Sequence, residues 1–245
     1  MKELITTFDG TKTLYSSKYN QHFHDIKTGA INESLIKHII PAFSYHKKNQ
    51  LNILDICFGI GYNTFTTIYY LKKEKLDKKL NIFSPELDLE LIESLKDFEY
   101  PKEFDGIKDI INKLLKDKKY EDEHIKIELF IGDAREYIKR LDGIDIVYQD
   151  AFSSEVNSEL WSVEYFKDIY KATNEDCILT TYSVATNVRL SLYKAGFEIY
   201  EINPIGKKKQ TIALKAKKEF DAKYIDMELK QQRNKEARAI YDKVD

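Results

Sequence analysis

The sequence predicts one α/β domain in which a mostly parallel central sheet carries helices on both faces. Apolar runs of strand length alternate with helical spacings along most of the chain, the pattern that parallel strands joined by crossover helices produce. The central runs are almost continuously apolar, as strands buried on both faces must be. Only four prolines and nine glycines punctuate the 245 residues, so their positions mark real reversals of the chain.

At the start, LITTF and KTLYS flank Asp9-Gly10 and read as a hairpin within a short N-terminal β extension over residues 1–28. Ile31, Leu35, Ile36, Ile39 and Ile40 fall at helical spacing, with Pro41 near the end of that helix. LNILDICF then predicts a strand, Asn63 to Lys73 a helix and LNIFSPE a strand. A charged helical stretch runs from about Leu89 to Lys118. IKIELFIGD, GIDIVYQD and EDCILTTYS are the next strands, separated by helices over AREYIKRL and over Glu159 to Ala172. A helix over Ala185 to Lys194 follows, and GFEIYEI with KQTIALKAK closes the 29–218 core as an antiparallel pair. Residues 219–245 predict a polar C-terminal helix. Right-handed crossovers bring the C-terminal ends of parallel strands to one edge, where a ligand crevice is expected.

Composition narrows the function classes. A 42% hydrophobic share beside 33% charge describes a folded chain rather than a disordered one. No apolar run approaches the roughly 20 residues that span a bilayer, and MKELITTFDG lacks the apolar core of a secretory signal. Cys57 and Cys177 lie within apolar runs and suggest neither a disulfide framework nor a metal knuckle, so a reducing, cytoplasmic setting is expected. The net charge of −2 says little about partners. Its distribution says more, because residues 206–218 hold six lysines, Lys207, Lys208 and Lys209 among them, and no acid.

Four predicted strand ends carry chemistry-bearing residues. Asp55 to Asn63, DICFGIGYN, runs from strand through a glycine turn into a helix, and Gly59 and Gly61 permit a tight turn and close approach of a ligand. Glu86 closes the next strand, where a carboxylate can accept hydrogen bonds from both hydroxyls of a ribose; Asp88 is the alternative, although it suits a helix N-cap better. Asp133, ahead of Ala134, can reach the amine of an adenine or cap the helix that follows it. Asp150 closes GIDIVY with no basic neighbour in sequence, and a carboxylate at a semi-buried strand end is costly without a partner. No phosphate-binding Walker loop occurs, and Thr64 breaks any GxGxxG pattern. His22 and His24, two residues apart with no cysteine near, do not make a metal site.

With these residues in view, FGIGYN resembles the cofactor loop of the MnmC-type tRNA methyltransferases. QDAFSSEVNSELWSVEYF and TTYSVATNVRLSLYKAGFEI resemble two further blocks of that family, and TLYSSKYNQHFHDIKTGAINES its N-terminal segment. The resemblance covers about Thr11 to Lys215, and its specific part is the block from Asp150-Ala151-Phe152 to Leu160-Trp161-Ser162. It implies a Rossmann-like S-adenosylmethionine methyltransferase that acts on the amine of 5-aminomethyluridine, often thiolated at position 2, at the tRNA wobble base. By similarity, Glu33, Phe58, Gly59, Gly61, Asn63, Glu86, Asp133, Ala134 and Asp150 hold the cofactor, with Glu33 near its amino-acid end and Asp150 beside the transferred methyl as the catalytic group. Many bacteria fuse this domain to a flavin oxidase; no flavin-binding half is read here, so a stand-alone form is expected. Ser158, Ile60 and the string GKKKQT depart from the usual family residues. Tyr15, Phe152, Trp161 and Tyr182 are candidates to stack on a flipped-out base, and Lys207, Lys208 and Lys209 to contact phosphates of the anticodon stem-loop. Three other readings share the fold: an aminopropyltransferase of spermidine-synthase type, which normally has a denser glycine loop, another S-adenosylmethionine-dependent small-molecule or RNA methyltransferase, and an RNA-binding module without catalysis.

Overall fold

The computed structural model describes residues 2–203 and 208–243. The chain divides into two compact units, Met1–Ala134 and Arg135–Asp245. The first opens with β1 (Lys2–Thr6), β2 (Lys12–Ser16) and β3 (Gln21–His22), an antiparallel sheet in that order. Asp9 ties the expected hairpin, its carboxylate accepting the Thr7 and Thr11 hydroxyls at 2.7 Å each. The helix that follows consists of α1 (Ala30–Ser34), a wide π turn over Leu35–Ile39, and α2 (Ile40–Tyr45). It therefore continues past Pro41, which sequence reading placed near its end. Proline lacks an N–H and its ring crowds the preceding turn; here it occupies the first turn after the π segment, where the ladder is already widened.

Strand β4 (Gln50–Ile56) feeds α3 (Tyr62–Lys73), then β5 (Lys79–Glu86), α4 (Leu89–Ser94), α5 (Lys108–Asp117), β6 (Lys119–Glu121) and β7 (Ile125–Ile131). β4, β5 and β7 pair in parallel, and β6 lies antiparallel on the far side of β7. Leu51, Ile53, Leu54 and Ile56 on β4 are fully buried, which accounts for the continuous apolar run. The charged stretch near 89–118, whose interior the sequence leaves poorly defined, is helical at both ends and broken between them. Pro101 cannot donate within a helix, and short 3₁₀ turns at Leu95–Asp97 and Lys102–Ile107 stand around it.

The second unit takes in α6 (Ala134–Ile138), β8 (Ile144–Gln149), α7 (Val163–Ala172), β9 (Thr173–Thr181), α8 (Thr186–Ala195), β10 (Glu198–Ile202), β11 (Gln210–Leu214), β12 (Lys223–Tyr224) and α9 (Met227–Arg233). β8 and β9 are parallel; β11 lies antiparallel to β9 and β10 to β11, which is the closing pair read from sequence. The helix expected from Glu159 is a 3₁₀ turn over Ser158–Trp161 followed by α7, because the Ser162 hydroxyl caps α7 by accepting the Tyr165 N–H at 3.2 Å. Arg189 on α8 is 2% exposed and donates to Glu201 at 3.0 Å and to the Thr211 hydroxyl at 2.8 Å. Burial pushes the Glu201 carboxyl up, but hydrogen bonds from Lys209 and Arg189 outweigh it and hold the group below the usual range.

The polar helix expected over 219–245 is confined to α9. Lys223 and Tyr224 bridge to β10 instead, and Asn234 ends the helix. Beyond it the chain makes a turn at Lys235 and Glu236 and then docks by its backbone: Val163 N–H donates to the Ile240 carbonyl, Ile240 N–H to the Ser191 hydroxyl, and Asp242 N–H to Glu164. Backbone groups spent on α7 and α8 cannot also close helical turns. Each unit carries parallel central strands flanked by helices, with antiparallel strands beside them, the α/β class the sequence predicts. Among the described residues no helix is long and apolar enough to cross a membrane.

Candidate active site

Three strand ends of the first unit are tied to one loop. Past Ile56 the chain turns left-handed at Cys57, Gly59 and Gly61, with φ of 64°, 57° and 82°. A Cβ on Gly61 would stand 2.5 Å from the Phe65 ring and 2.7 Å from that of Phe58, so the turn admits glycine alone. Phe58 N–H donates to the Pro85 carbonyl at 3.1 Å and Gly132 N–H to the Glu86 carbonyl at 2.9 Å. Gly59 N–H donates to Glu86 Oε2 at 2.8 Å. The ends of β4, β5 and β7 thus meet at Glu86.

Aromatic packing stiffens the loop from behind. Phe65 packs edge-on against Phe58, with centroids 5.6 Å apart, and against Tyr100 at 5.3 Å. Burial raises the Tyr100 phenol well above its ordinary value, so it stays protonated and donates to the Ile60 carbonyl at 2.9 Å. Phe23, in the segment after β3, lies over Gly59; a Cβ there would meet its ring at 3.2 Å. Asp55 is fully buried and accepts the Thr64 hydroxyl at 2.7 Å, joining the end of β4 to the first turn of α3.

Glu86 is the electrostatic centre of this group. Burial pushes its carboxyl above the usual range, opposed by N–H donors from Asp88 and Gly59. With one N–H on each oxygen, lone pairs remain for further donors. Asp88 is committed elsewhere: it caps α4 through the Leu91 N–H at 2.8 Å and pairs with Lys2 at 2.6 Å.

In the second unit, β8 ends at Gln149 and Asp150 stands half-buried just beyond it. Gln149 is buried; its amide donates to the Leu160 carbonyl at 2.8 Å and its Oε1 accepts the Tyr165 hydroxyl at 3.2 Å. The Trp161 indole donates to the Phe152 carbonyl at 2.8 Å and the Tyr182 hydroxyl to the Ala151 carbonyl at 2.9 Å.

Comparison with known proteins identifies this arrangement. The crystal structure of MNMC2 from Aquifex aeolicus superposes with a TM-score of 0.79 and 30% identity, over 89% of this chain and 71% of that one. The chain belongs to the MnmC-type methyltransferase family. Residues 104–219 match a family model described as S-adenosyl-L-methionine-dependent methyltransferase. An uncharacterized protein of Methanocaldococcus jannaschii is 33% identical over 210 residues. A tRNA 5-methylaminomethyl-2-thiouridine biosynthesis bifunctional protein MnmC from Leptospira interrogans is 25% identical over 189 residues. The chain spans 57% of the first relative's length and 28% of the second's. It is an S-adenosylmethionine-dependent methyltransferase of Rossmann-like fold.

Within this MnmC-type methyltransferase the residues singled out from sequence separate into groups. Phe58, Gly59, Gly61 and Glu86 are brought together in the first unit. Asn63 is buried in the first turn of α3, Asp133 is exposed directly after Gly132, and Ala134 is buried. Glu33 sits in the first turn of α1, where its carboxylate accepts the Asp25 N–H at 2.6 Å and pairs with Lys37, so it fastens the segment before the helix. Asp150 lies in the second unit.

Trp161 requires a correction. It is fully buried with its N–H committed, so it is a strut beneath the 150–153 loop and not a platform open to a base. Tyr182 and Phe152 remain half-buried, and Tyr15 rests against His22 in the N-terminal sheet. His24 is buried against Tyr62. Lys208 and Lys209 are exposed, but Lys209 pairs with Glu201 at 2.9 Å; Lys207 lies outside the described residues. Sequence reading missed Cys57, Tyr100, Phe23 and Gln149. Only Gln149 carried a local signal, since an amide within an apolar strand must find partners.

Proposed function

We propose that this chain N-methylates 5-aminomethyluridine, with or without the 2-thio group, at the tRNA wobble position, acting in the cytoplasm. The observation that carries this reading is the Asp150 loop: a half-buried carboxylate at a parallel strand end, its backbone held by two side-chain donors. The tRNA 5-methylaminomethyl-2-thiouridine biosynthesis for which the Leptospira relative is named supports the substrate.

The chain's residues suit the cofactor. Glu86 keeps acceptor capacity for ribose hydroxyls, the left-handed turn at Gly59 and Gly61 keeps the backbone free of side chains, and Asp133 offers a carboxylate for an adenine amine. Bound S-adenosylmethionine supplies a methyl group already activated on a sulfonium. The substrate amine is protonated near neutral pH and must lose its proton before it attacks. Asp150 orients the ammonium, receives the proton directly or through water, and offsets the positive charge that develops on nitrogen. Lys208 contributes to backbone binding of the RNA.

Mass spectrometry of tRNA nucleosides from a strain lacking this protein tests the reading. Loss of the methylaminomethyl nucleoside with accumulation of its unmethylated precursor is expected; an unchanged nucleoside profile refutes it.

Two further outcomes follow. Glu86→Gln keeps the shape but leaves one acceptor oxygen, so cofactor affinity should fall about tenfold, given 1.5–3 kcal/mol for a hydrogen bond to a charged group. Burial holds the wild-type carboxyl above the ordinary range, so on acidification its affinity for cofactor should begin to decline before a free carboxylate would protonate, while the Gln variant stays flat. The sign for stability is opposite: a raised carboxyl disfavours the folded apo state above its folded pKa, and acidification through that value relieves the cost. Calorimetric titration across pH checks both. Lys208→Glu should weaken tRNA binding and lower the slope of log K against log salt by about one, with cofactor affinity unchanged; filter binding at several salt concentrations measures it.

A further inference from the structure

We propose that Tyr182 and Trp161 are positioning residues for methyl transfer, their donors on the Ala151 and Phe152 carbonyls setting the direction in which Asp150 presents its carboxylate. The inference rests on the role given to Asp150 above.

Strand register creates the arrangement. β8 and β9 run parallel with Tyr148 opposite Thr180, so Asp150 and Tyr182 each stand two residues further along adjacent strand ends. The Tyr182 hydroxyl reaches the Ala151 carbonyl at 2.9 Å. From the other side, the 3₁₀ turn over Ser158–Trp161 delivers the indole N–H to the Phe152 carbonyl at 2.8 Å. That turn is itself held to β8 by the Gln149 amide on the Leu160 carbonyl, and Gln149 is steadied by the Tyr165 hydroxyl. The Trp161 and Tyr182 rings meet edge-on, 5.9 Å apart at 81°.

Two consecutive carbonyls are therefore pinned by donors from two different elements. Each pins the peptide to which it belongs, 151–152 and 152–153; with the chain held in β8 up to Gln149, Asp150 is left as a short span between two anchors. A side chain's rotamer depends on its backbone, so the carboxylate direction is set with them. Packing alone does not call for this chemistry. Phenylalanine would fill the space of Tyr182, and a buried indole N–H is tolerated only because it has an acceptor. A catalytic group misplaced by a fraction of an ångström loses rate without losing affinity, which makes such a clamp worthwhile.

The experiment uses Tyr182→Phe, which keeps the ring and removes the donor. Single-turnover methylation of tRNA purified from a strain lacking this protein is measured in four backgrounds: wild type, Tyr182→Phe, Asp150→Asn and the double variant. Hydrogen exchange of the peptide covering 149–162 is followed in parallel. Tyr182→Phe should slow transfer about three- to tenfold, the value of one net hydrogen bond, at unchanged KM for S-adenosylmethionine, and should speed exchange in that peptide. In the Asp150→Asn background the same change should cost nothing further, because a positioning residue acts only through the group it positions.

An equal loss in both backgrounds, a wild-type rate, or unaltered exchange in Tyr182→Phe overturns the inference. A wild-type rate in Asp150→Asn alone instead removes the role of Asp150, and the inference with it. Should Tyr182→Phe fail to fold, Trp161→Phe removes the second donor together with some packing, and the same cycle is read on it. A packing loss alone would cost equally in both Asp150 backgrounds and so overturn the inference.

Discussion

Replacing Asp150 by alanine should lower the rate of methyl transfer by about 10²–10⁴-fold, the range lost with a positioned proton acceptor, while cofactor affinity changes far less. The asymmetry follows from where the group acts. In the proposed reaction the amine arrives as an ammonium and leaves bearing a further alkyl group, so the carboxylate matters most when a proton is departing and charge is building on nitrogen. In the proposed site, binding of the cofactor draws mainly on the glycine loop and Glu86, which belong to the first unit. Asp150→Asn keeps size and some hydrogen bonding but cannot take the proton, so it should resemble the alanine variant in rate and the wild type in stability. Raising pH should rescue both variants in part, since solvent then deprotonates the amine. Single-turnover rates and calorimetric titration of S-adenosylmethionine separate the two effects; a wild-type rate in Asp150→Ala would remove the mechanism.

Gly61→Ala should be the most damaging small change in the first unit. The residue has φ of 82°, and an added Cβ would lie 2.5 Å from the Phe65 ring and 2.7 Å from that of Phe58. The left-handed conformation costs a non-glycine residue about 1–2 kcal/mol, and overpacking adds roughly 1–3 kcal/mol. For a chain of this size each kcal/mol lowers Tm by about 2–4 °C, so a fall of roughly 5–15 °C is expected. Because Phe58 and Gly59 carry the ties to β5, their displacement should also weaken cofactor binding by at least about tenfold. Gly106→Ala is the control: nothing lies within 4 Å of a Cβ there, and its effect should stay within about 0.5 kcal/mol. Thermal denaturation with and without S-adenosylmethionine measures both variants.

The alternation of strand and helix and the glycine turn were legible because they depend on local pattern. Continuous apolar runs become parallel strands, and a left-handed turn selects glycine wherever it occurs. The same locality explains the errors. Residues 219–245 are polar and contain good helix formers, yet among the described residues only Met227–Arg233 is helical there, because Lys223 and Tyr224 pair with β10 while Ile240 and Asp242 spend their backbone on α7 and α8. Trp161 in the LWS block has the composition of a base-stacking residue, and only its burial shows otherwise. Tyr100 stands forty residues from the carbonyl it holds, in a stretch whose pattern concerns helix alone.

What the sequence determined by itself was the order of elements, the glycine loop, and which carboxylates close strands, since backbone geometry and alternate burial act over a few residues. What only the tertiary structure decided was partnership: that Glu86 accepts the Gly59 amide, that Asp88 is spent on a helix cap and Lys2, and that Trp161 and Tyr182 grip the carbonyls after Asp150. Hydrogen-bond donors select acceptors by position in space, and residues distant in sequence become neighbours only when the strands pair.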